Sequence, residues 1–383
     1  MSRINRVAAR DVQRICSDQV IVDLQSALKE LLENALDAGA TKIEVRLKEH
    51  GTDLLEVADN GSGIAPENLD GVALRHHTSK LSEFDDLQKL RSFGFRGEAL
   101  NSLAALATLT LSTRTAASPV GTALTFGSDG AVASRATAAR EVGTCVSVGE
   151  LFKSFPVRRR ELQRNAAAEF RKVLLAVQAY AIICDGVRFV VTHTLGKGGR
   201  QVVLQTEGAR GGGGSSGGGS SGGGGSSDGG GMRSAIAAIF GAKQVAELQP
   251  LAREGDGFTL SGFISRPRVG AGRRAGDRQY VFVNRRPVDF PKLSRLLNDA
   301  YRAATARSEC FPAAFVNVAC DPNAFDVNVT PDKRTVMFGE EGKLLALVRS
   351  MLDDLFSADA CTLSTVQSAL PFAQIAKADA PAA

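Results

Sequence analysis

The stretch KELLENALDAGAT, Lys29 to Thr41, sets Glu30, Asn34 and Asp37 at i, i+4 and i+7. On a helix these two carboxylates and one amide share a face. Leu28, Leu31, Leu32, Ala35 and Leu36 supply the apolar remainder that packs on a sheet, and Gly39 suits the left-handed residue just past a helix end. A solvated helix face reads the same way when taken alone. Some twenty residues on, DNGSGI places Asp59 at a strand end, followed by Gly61 and Gly63. Such a turn lets a flat ring come close to the backbone while the carboxylate accepts from an exocyclic amino group, although the same residues also make ordinary turns. HHTSK (His76 to Lys80) and FGFRGEAL (Phe93 to Leu100) flank a polar, acidic segment. Gly94 and Gly97 stand at the entry to a helix, where outward N–H groups and the positive helix end favour phosphate. Thr78, Ser79 and Lys80 offer two hydroxyls and an ammonium to the same anion. Gly143–Thr144 opens a further strand.

The elements that must carry these groups read as α/β. A helix around residues 24 to 38 precedes KIEVRLKEH, in which Ile43, Val45 and Leu47 alternate with charge as on a half-buried strand. TDLLEVADNG is a strand running into an Asn-Gly turn, and GEALNSLAALA has helical spacing. TLTLSTR, TALTF and TCVSV follow as strands, AAAEFRKVLLAVQAYAII as a long amphipathic helix, and VRFVVTH and RQVVLQT close the region. Helices collect over one mostly antiparallel sheet. Residues 211–231 then hold fourteen of the forty Gly and nothing able to form a core, so they read as a Gly/Ser-rich disordered linker or loop. After it come a helix with its Gly stop (MRSAIAAIFG), strands FTLSGFIS and RQYVFVNRRPV, helix KLSRLLNDAYRAA, strands AAFVNVAC and FDVNV, and helix EGKLLALVRSMLDDLF. The expected layout is 1–210, the linker at 211–231, a smaller domain at 232–356, and a tail at 357–383.

At 383 residues the chain is long enough for two cored domains, and 44% hydrophobic residues is ordinary for a globular protein. No window approaches twenty apolar residues, and the first residues lack the apolar core of a secretory signal. Six Cys without a CxxC pair and four His without ligand spacing argue against a zinc or disulfide framework and for reduced thiols in a cytosolic or nuclear protein. The net charge of +5 and pI of about 8.9 are a mild basic excess, gathered in small clusters.

Four elements in this order and spacing say more than any one of them. LLENALDAGAT, DNGSGI, GFRGEAL and the GT pair resemble the nucleotide-binding motifs of the GHKL ATPase superfamily, and together look like MutL. HHTSK, FGFRGEAL and DVNVTPDKR look like the eukaryotic PMS-type branch, subunits of DNA mismatch repair. The resemblance spans about residues 10 to 355 apart from the Gly-rich run. It implies a GHKL (Bergerat) two-layer ATPase sandwich followed by a smaller ribosomal-S5-like α/β transducer domain, with ATP and Mg²⁺ as ligands. Carried onto this sequence, Glu30 matches the general base for the attacking water, Asn34 the Mg²⁺ ligand, Asp59 the reader of the adenine amino group, and Gly61 and Gly63 the base-lining turn. Thr78, Ser79, Lys80 and the Gly94–Phe95–Arg96–Gly97–Glu98 loop match the lid over the phosphates. Thr144 matches the fourth motif, and Lys333 the second-domain lysine that reaches the γ-phosphate. Glu33, about 100° round the helix from Asn34, reads as structural, an intramolecular ion pair, and Phe93 and Phe95 read as packing.

The resemblance further implies slow ATP hydrolysis, ATP-gated association of N-terminal domains, and a heterodimer with an MLH-type MutL homologue. It also implies MutS-type mismatch-recognition partners, double-stranded DNA, a nuclear location and no membrane. Candidate DNA contacts are Arg158, Arg159, Arg160, Arg164, Arg273, Arg274, Arg285 and Arg286. No helix-turn-helix, zinc finger or Trp is present, so phosphate rather than base contact is expected. No acidic/His metal motif follows Phe338, so nicking by this chain is expected to be absent and stable dimerisation weak. LFKSFPVRRRE departs from the bacterial pattern, and the Gly-rich run in place of a short connection predicts domain coupling to Lys333 looser than in relatives. A non-hydrolysing, nucleotide-gated DNA-binding and recruitment module is the alternative; retention of both Glu30 and Asn34 favours hydrolysis. A topoisomerase subunit is disfavoured by GFRGEAL with DVNVTPDK.

Overall fold

Asp23 starts the helix α1 (Leu24–Asp37) through a capping box: its carboxylate accepts from the Ser26 N–H at 2.8 Å, and Ser26 Oγ accepts from the Asp23 N–H at 3.0 Å. At the other end Gly39 takes φ +73°, and the Gly39 and Ala40 N–H groups donate back to Leu36 and Ala35. This is the glycine-terminated double closure expected from the sequence. The computed structural model describes residues 16–77, 93–94, 97–208, 228–268, 271–305, 309–326 and 334–367. Thr78, Ser79, Lys80, Phe95, Arg96 and Lys333 lie outside them.

β1 (Lys42–Lys48) buries Ile43, Val45 and Leu47 on one face, as its alternation requires. With β2 (Leu54–Asp59), β3 (Thr108–Arg114), β4 (Gly121–Phe126), β5 (Val132–Ala138), β6 (Gly143–Gly149), β7 (Arg188–Thr194) and β8 (Gln201–Gln205) it forms one eight-stranded sheet. Its order is β5-β4-β3-β6-β2-β1-β7-β8, antiparallel throughout except for the β1/β7 pair. The leucines of α1, Leu103 and Leu106 of α2 (Ala99–Leu106), and Val173, Val177 and Tyr180 of α4 (Ala166–Ile183) share a single core with the buried strand faces. The short α3 (Pro156–Arg164) precedes α4. This is the GHKL-type two-layer α/β arrangement that the resemblance implies.

The second unit contains α5 (Asp228–Phe240), α6 (Ala242–Ala246), β9 (Leu248–Gly255), β10 (Phe258–Ser265), β11 (Gln279–Val283), β12 (Arg286–Val288), α7 (Pro291–Thr305), β13 (Ala314–Cys320), the pair β14 (Phe325–Asp326) and β15 (Met337–Phe338), and α8 (Glu341–Gln367). Its five-stranded sheet runs β12-β11-β13-β10-β9. RQYVFVNRRPV is a hairpin rather than one strand. Asn284 and Arg285 both take positive φ (47° and 65°), and the chain reverses there between β11 and β12. β9 lacks a readable period because it carries Pro250, which an edge strand tolerates. α5 opens at Asp228, inside the run assigned to the linker, and α8 continues past Ser357 to Gln367. Extending an established helix costs little once it is nucleated, so α8 outlasts its hydrophobic period.

β11 is buried on both faces. Val281 and Val283 meet Leu293 and Leu297 of α7 and Val348 and Leu352 of α8. Tyr280 and Phe282 instead join Phe315, Ile236 of α5, and Ile182 and Ile183 of α4. That second cluster is common to both units, and Tyr280 also donates from its hydroxyl to Gln178 of α4 at 2.8 Å. The two units therefore share an apolar core across the Gly-rich run; the expected looser coupling concerns Lys333, which lies outside the described residues. No helix among the described residues is long and apolar enough to cross a membrane.

Ile236 is fully buried in this shared core. Ile236→Ala is expected to cost about 2–5 kcal/mol in urea denaturation, with the signals of both units shifting together.

Candidate functional site

The polar face of α1, the end of β2, the start of β6 and the entry to α2 surround one cavity of about 1000 Å³. Glu30 and Asn34 line it one turn apart, as do Asp59 and Gly63 from DNGSGI, and Thr144 from the GT pair. Gly94, Gly97 and Glu98 line it as well. Four separated stretches are thus brought to one place by the antiparallel β2–β6 pairing and by α1 lying over the sheet.

Asp59 is the best-defined member. Its Oδ1 accepts from the Gly61 N–H at 2.8 Å and the Thr144 N–H at 3.2 Å, which leaves Oδ2 without a protein partner among the described residues. Burial pushes this carboxyl above the ordinary value; the two N–H donors and Arg140 oppose the shift without cancelling it. Behind it, Thr113 Oγ1 accepts from the Ile64 N–H (2.9 Å), donates to the Gly143 carbonyl (3.1 Å) and lies 3.1 Å from Thr144 Oγ1. The Arg140 guanidinium donates to the Asp59 carbonyl at 3.3 Å. Gly63 has φ +74°, and a Cβ there would come 2.2 Å from the Arg114 carbonyl oxygen, so only glycine lets the turn lie this close to β3. A flat heterocycle carrying an amino group fits this surface.

Asp37 lines the cavity too, and both of its carboxylate oxygens hold backbone N–H groups. Oδ1 accepts from the Phe93 N–H at 2.9 Å and Oδ2 from the Gly94 N–H at 3.0 Å. The Gly94 N–H, expected to face an anion, is thereby directed at Asp37. Glu98 lies 3.6 Å from the Arg75 guanidinium and 3.7 Å from the His76 ring. Glu33 is structural, as its place on the helix implied. Its Oε1 is 2.9 Å from Lys29 Nζ and accepts from the Tyr180 hydroxyl at 2.7 Å. Burial first, then Glu33, holds the Tyr180 phenol well above its ordinary value, so it stays a donor.

Sequence reasoning did not find Thr113, Arg140 or Tyr180. The first lies on a neighbouring strand, the second in the β5–β6 connection and the third on a distant helix, and none sits in a local pattern. Five of the eight candidate DNA-binding arginines are engaged within the chain. Arg158 pairs with Asp18 and caps the Val22 carbonyl, and Arg159 pairs with Glu150. Arg273 forks onto Asp277, Arg285 meets Asp185, and Arg286 lies beside Glu33. Each is placed by a nearby carboxylate that its own cluster could not reveal. Arg160, Arg164 and Arg274 are exposed, and so is Arg285 despite its partner.

Asp59→Asn should separate two effects. An acid whose folded value is raised contributes stability below its unfolded value and loses that contribution as pH rises through the folded value. At pH 7–8, where ionised Asp59 is a cost, the amide variant is expected to melt no lower than wild type, while adenine-nucleotide binding by calorimetry is lost. A lower melting temperature with retained binding would contradict both assignments.

The family described as "Histidine kinase-, DNA gyrase B-, and HSP90-like ATPase" matches residues 22–135, and the one described as "DNA mismatch repair protein, C-terminal domain" matches residues 236–357. The chain is 43% identical over 348 residues to "DNA mismatch repair protein PMS1" of Arabidopsis thaliana, covering 91% of this chain and 35% of that one. It is 40% identical over 385 residues to "Mismatch repair endonuclease PMS2" of Homo sapiens, covering 96% and 42%. It therefore spans less than half the length of these relatives. Among solved structures, "Crystal Structure of N terminal domain of a DNA repair protein" superposes with a TM-score of 0.78 at 34% identity, covering 92% of this chain and all of that one. "Aquifex aeolicus MutL ATPase domain complexed with ADP" shares the fold with a TM-score of 0.56 at 23% identity, covering 85% and 95%. The two-layer sheet, the four motifs gathered at one cavity and these likenesses place the chain in the MutL family of DNA mismatch-repair proteins, alongside its PMS-type members.

Proposed function

We propose that this chain binds ATP with Mg²⁺ in the cavity between α1, β2 and β6 and hydrolyses it slowly. The observation that carries this reading is that Glu30, Asn34, Asp59 and Thr144, from distant stretches, line the same cavity. Glu30, half-buried one turn before Asn34, takes the proton of the attacking water. The Asn34 amide is a neutral oxygen donor at the cavity wall, which suits a hard cation that keeps waters and phosphate oxygens as its other ligands. Bound there, Mg²⁺ would offset charge building on the phosphates. Asp59 accepts from the adenine amino group, with Gly61, Gly63 and Thr144 shaping the base pocket. By resemblance, Thr78, Ser79, Lys80 and the Phe95–Arg96 segment cover the phosphates, and Lys333 brings a cation to the γ-phosphate.

ATP then acts as a switch only through its different affinity for two states. In this reading, the bound state associates with an MLH-type homologue, works with MutS-type mismatch-recognition proteins in the nucleus, and holds duplex DNA. The exposed Arg160, Arg164 and Arg274, with the exposed but paired Arg285, are the DNA contacts this reading favours.

Two measurements test this. Purified wild type is expected to release ADP slowly from Mg-ATP, while Glu30→Ala binds ATP and does not turn it over. Binding without hydrolysis by both would instead favour the nucleotide-gated binding module. DNA affinity should fall with salt by a log–log slope of roughly −0.9 per phosphate neutralised, and removing Arg160, Arg164 and Arg274 should flatten that slope. Salt-independent affinity would rule the DNA contact out.

A further inference from the structure

The β11–β12 hairpin brings two guanidinium groups of the second unit against the first. Arg285 meets the Ile183 carbonyl (2.6 Å) and the Asp185 carboxylate (2.9 Å) near the surface. Arg286 goes deeper, with a side chain 13% exposed. Its Nη1 lies 3.6 Å from Oε1 of Glu33, whose side chain is 1% exposed. Arg286 Nη2 donates to the Phe93 carbonyl at 3.1 Å, and its guanidinium carbon is 5.1 Å from the centre of the Phe93 ring. That ring in turn meets Tyr180 edge-on at 6.0 Å.

Phe93 is also bound from the opposite side, since its N–H and that of Gly94 donate to the two oxygens of Asp37. One short piece of backbone at the cavity wall is thus held through its N–H groups by α1 and through its carbonyl by the second unit. Gly94 itself lines the cavity.

We propose that Arg286 is a positioning residue through which the second unit sets the nucleotide affinity of the first, by fixing the Phe93–Gly94 edge of the cavity. The inference rests on the nucleotide reading above. Arg286 suits this role because its planar fork serves a carboxylate, a carbonyl and an aromatic face at once, which an ammonium cannot do. Linkage makes the effect reciprocal: a nucleotide that needs this edge in place favours the state in which β12 is docked on α1. Lys333 is assigned contact with the phosphate, whereas Arg286 acts through the cavity wall and touches no ligand.

The test is calorimetric titration of the full chain with Mg-ADP and with a non-hydrolysable ATP analogue. It compares wild type, Arg286→Lys, Asp37→Asn and the double variant, with each fold verified by its melting curve. Arg286→Lys keeps the charge beside Glu33 and so protects the fold. Loss of one charge-assisted hydrogen bond predicts binding about tenfold weaker for each single variant. Because both residues act on one peptide, the double variant is expected to be no weaker than about the worse single one. Wild-type affinity in folded Arg286→Lys, or single effects that multiply in the double variant, would overturn the proposal and leave Arg286 as interface glue. If folded wild type binds neither nucleotide, the nucleotide reading fails and this inference falls with it, a result visible without any substitution.

Discussion

Glu33 is a charge out of water, and much of the molecule is arranged around that fact. A carboxylate buried this deeply is tolerated only with partners, and removing one from such a pair typically costs about 3–5 kcal/mol. Among its partners are Lys29 on the same helix, Tyr180 on α4, and Arg286 on β12. Satisfying one carboxylate therefore sets the rotation of α1 relative to α4 and to the second unit. Asn34 follows Glu33 directly and Glu30 lies one turn from Asn34, so the same rotation decides which groups face the cavity.

Apolar packing works in the same direction. β11 is a central strand with valines on one face and aromatics on the other, so its sheet must be covered twice. One cover is α7 and α8; the other includes α5 and the end of α4, which belongs to the first unit. α4 is thus shared between the two units. The shared wall sets where the two units meet. Burial of Tyr280, Phe282 and Phe315 supplies a non-directional term, while Glu33, Arg285 and Arg286 supply the directional one.

The basic residues are placed by the fold as well as by their clustering along the chain. Arg158, Arg159, Arg273, Arg285 and Arg286 resemble a phosphate-binding set when counted along the chain. In the fold each lies beside a carboxylate or carbonyl that the sequence places far away or in an unremarked position. Arg158 ties α3 to the residues before α1, and Arg286 ties the second unit to the cavity wall. Arg160, Arg164, Arg274 and the paired Arg285 are the members of the set that stay exposed.

By itself the sequence determined whatever depends on neighbours in the chain. The start and stop of α1 follow from Asp23, Ser26 and Gly39, the half-buried face of β1 from strict alternation, and the tight turn after β2 from Asn60 and Gly61. Motif order was equally legible, and with it the family and the cavity-facing groups Glu30, Asn34, Asp59 and Thr144. The tertiary structure alone decided the partners: that Asp37 clamps the Phe93 and Gly94 amides, that Thr113 and Arg140 support the Asp59 turn, and that Arg286 reaches Glu33. The reason is physical. Capping, periodicity and turn chemistry act over a few residues and leave a local pattern, whereas a buried charge or hydroxyl is satisfied by whatever group folding brings within about 3 Å, and nothing in the local sequence records which group that is.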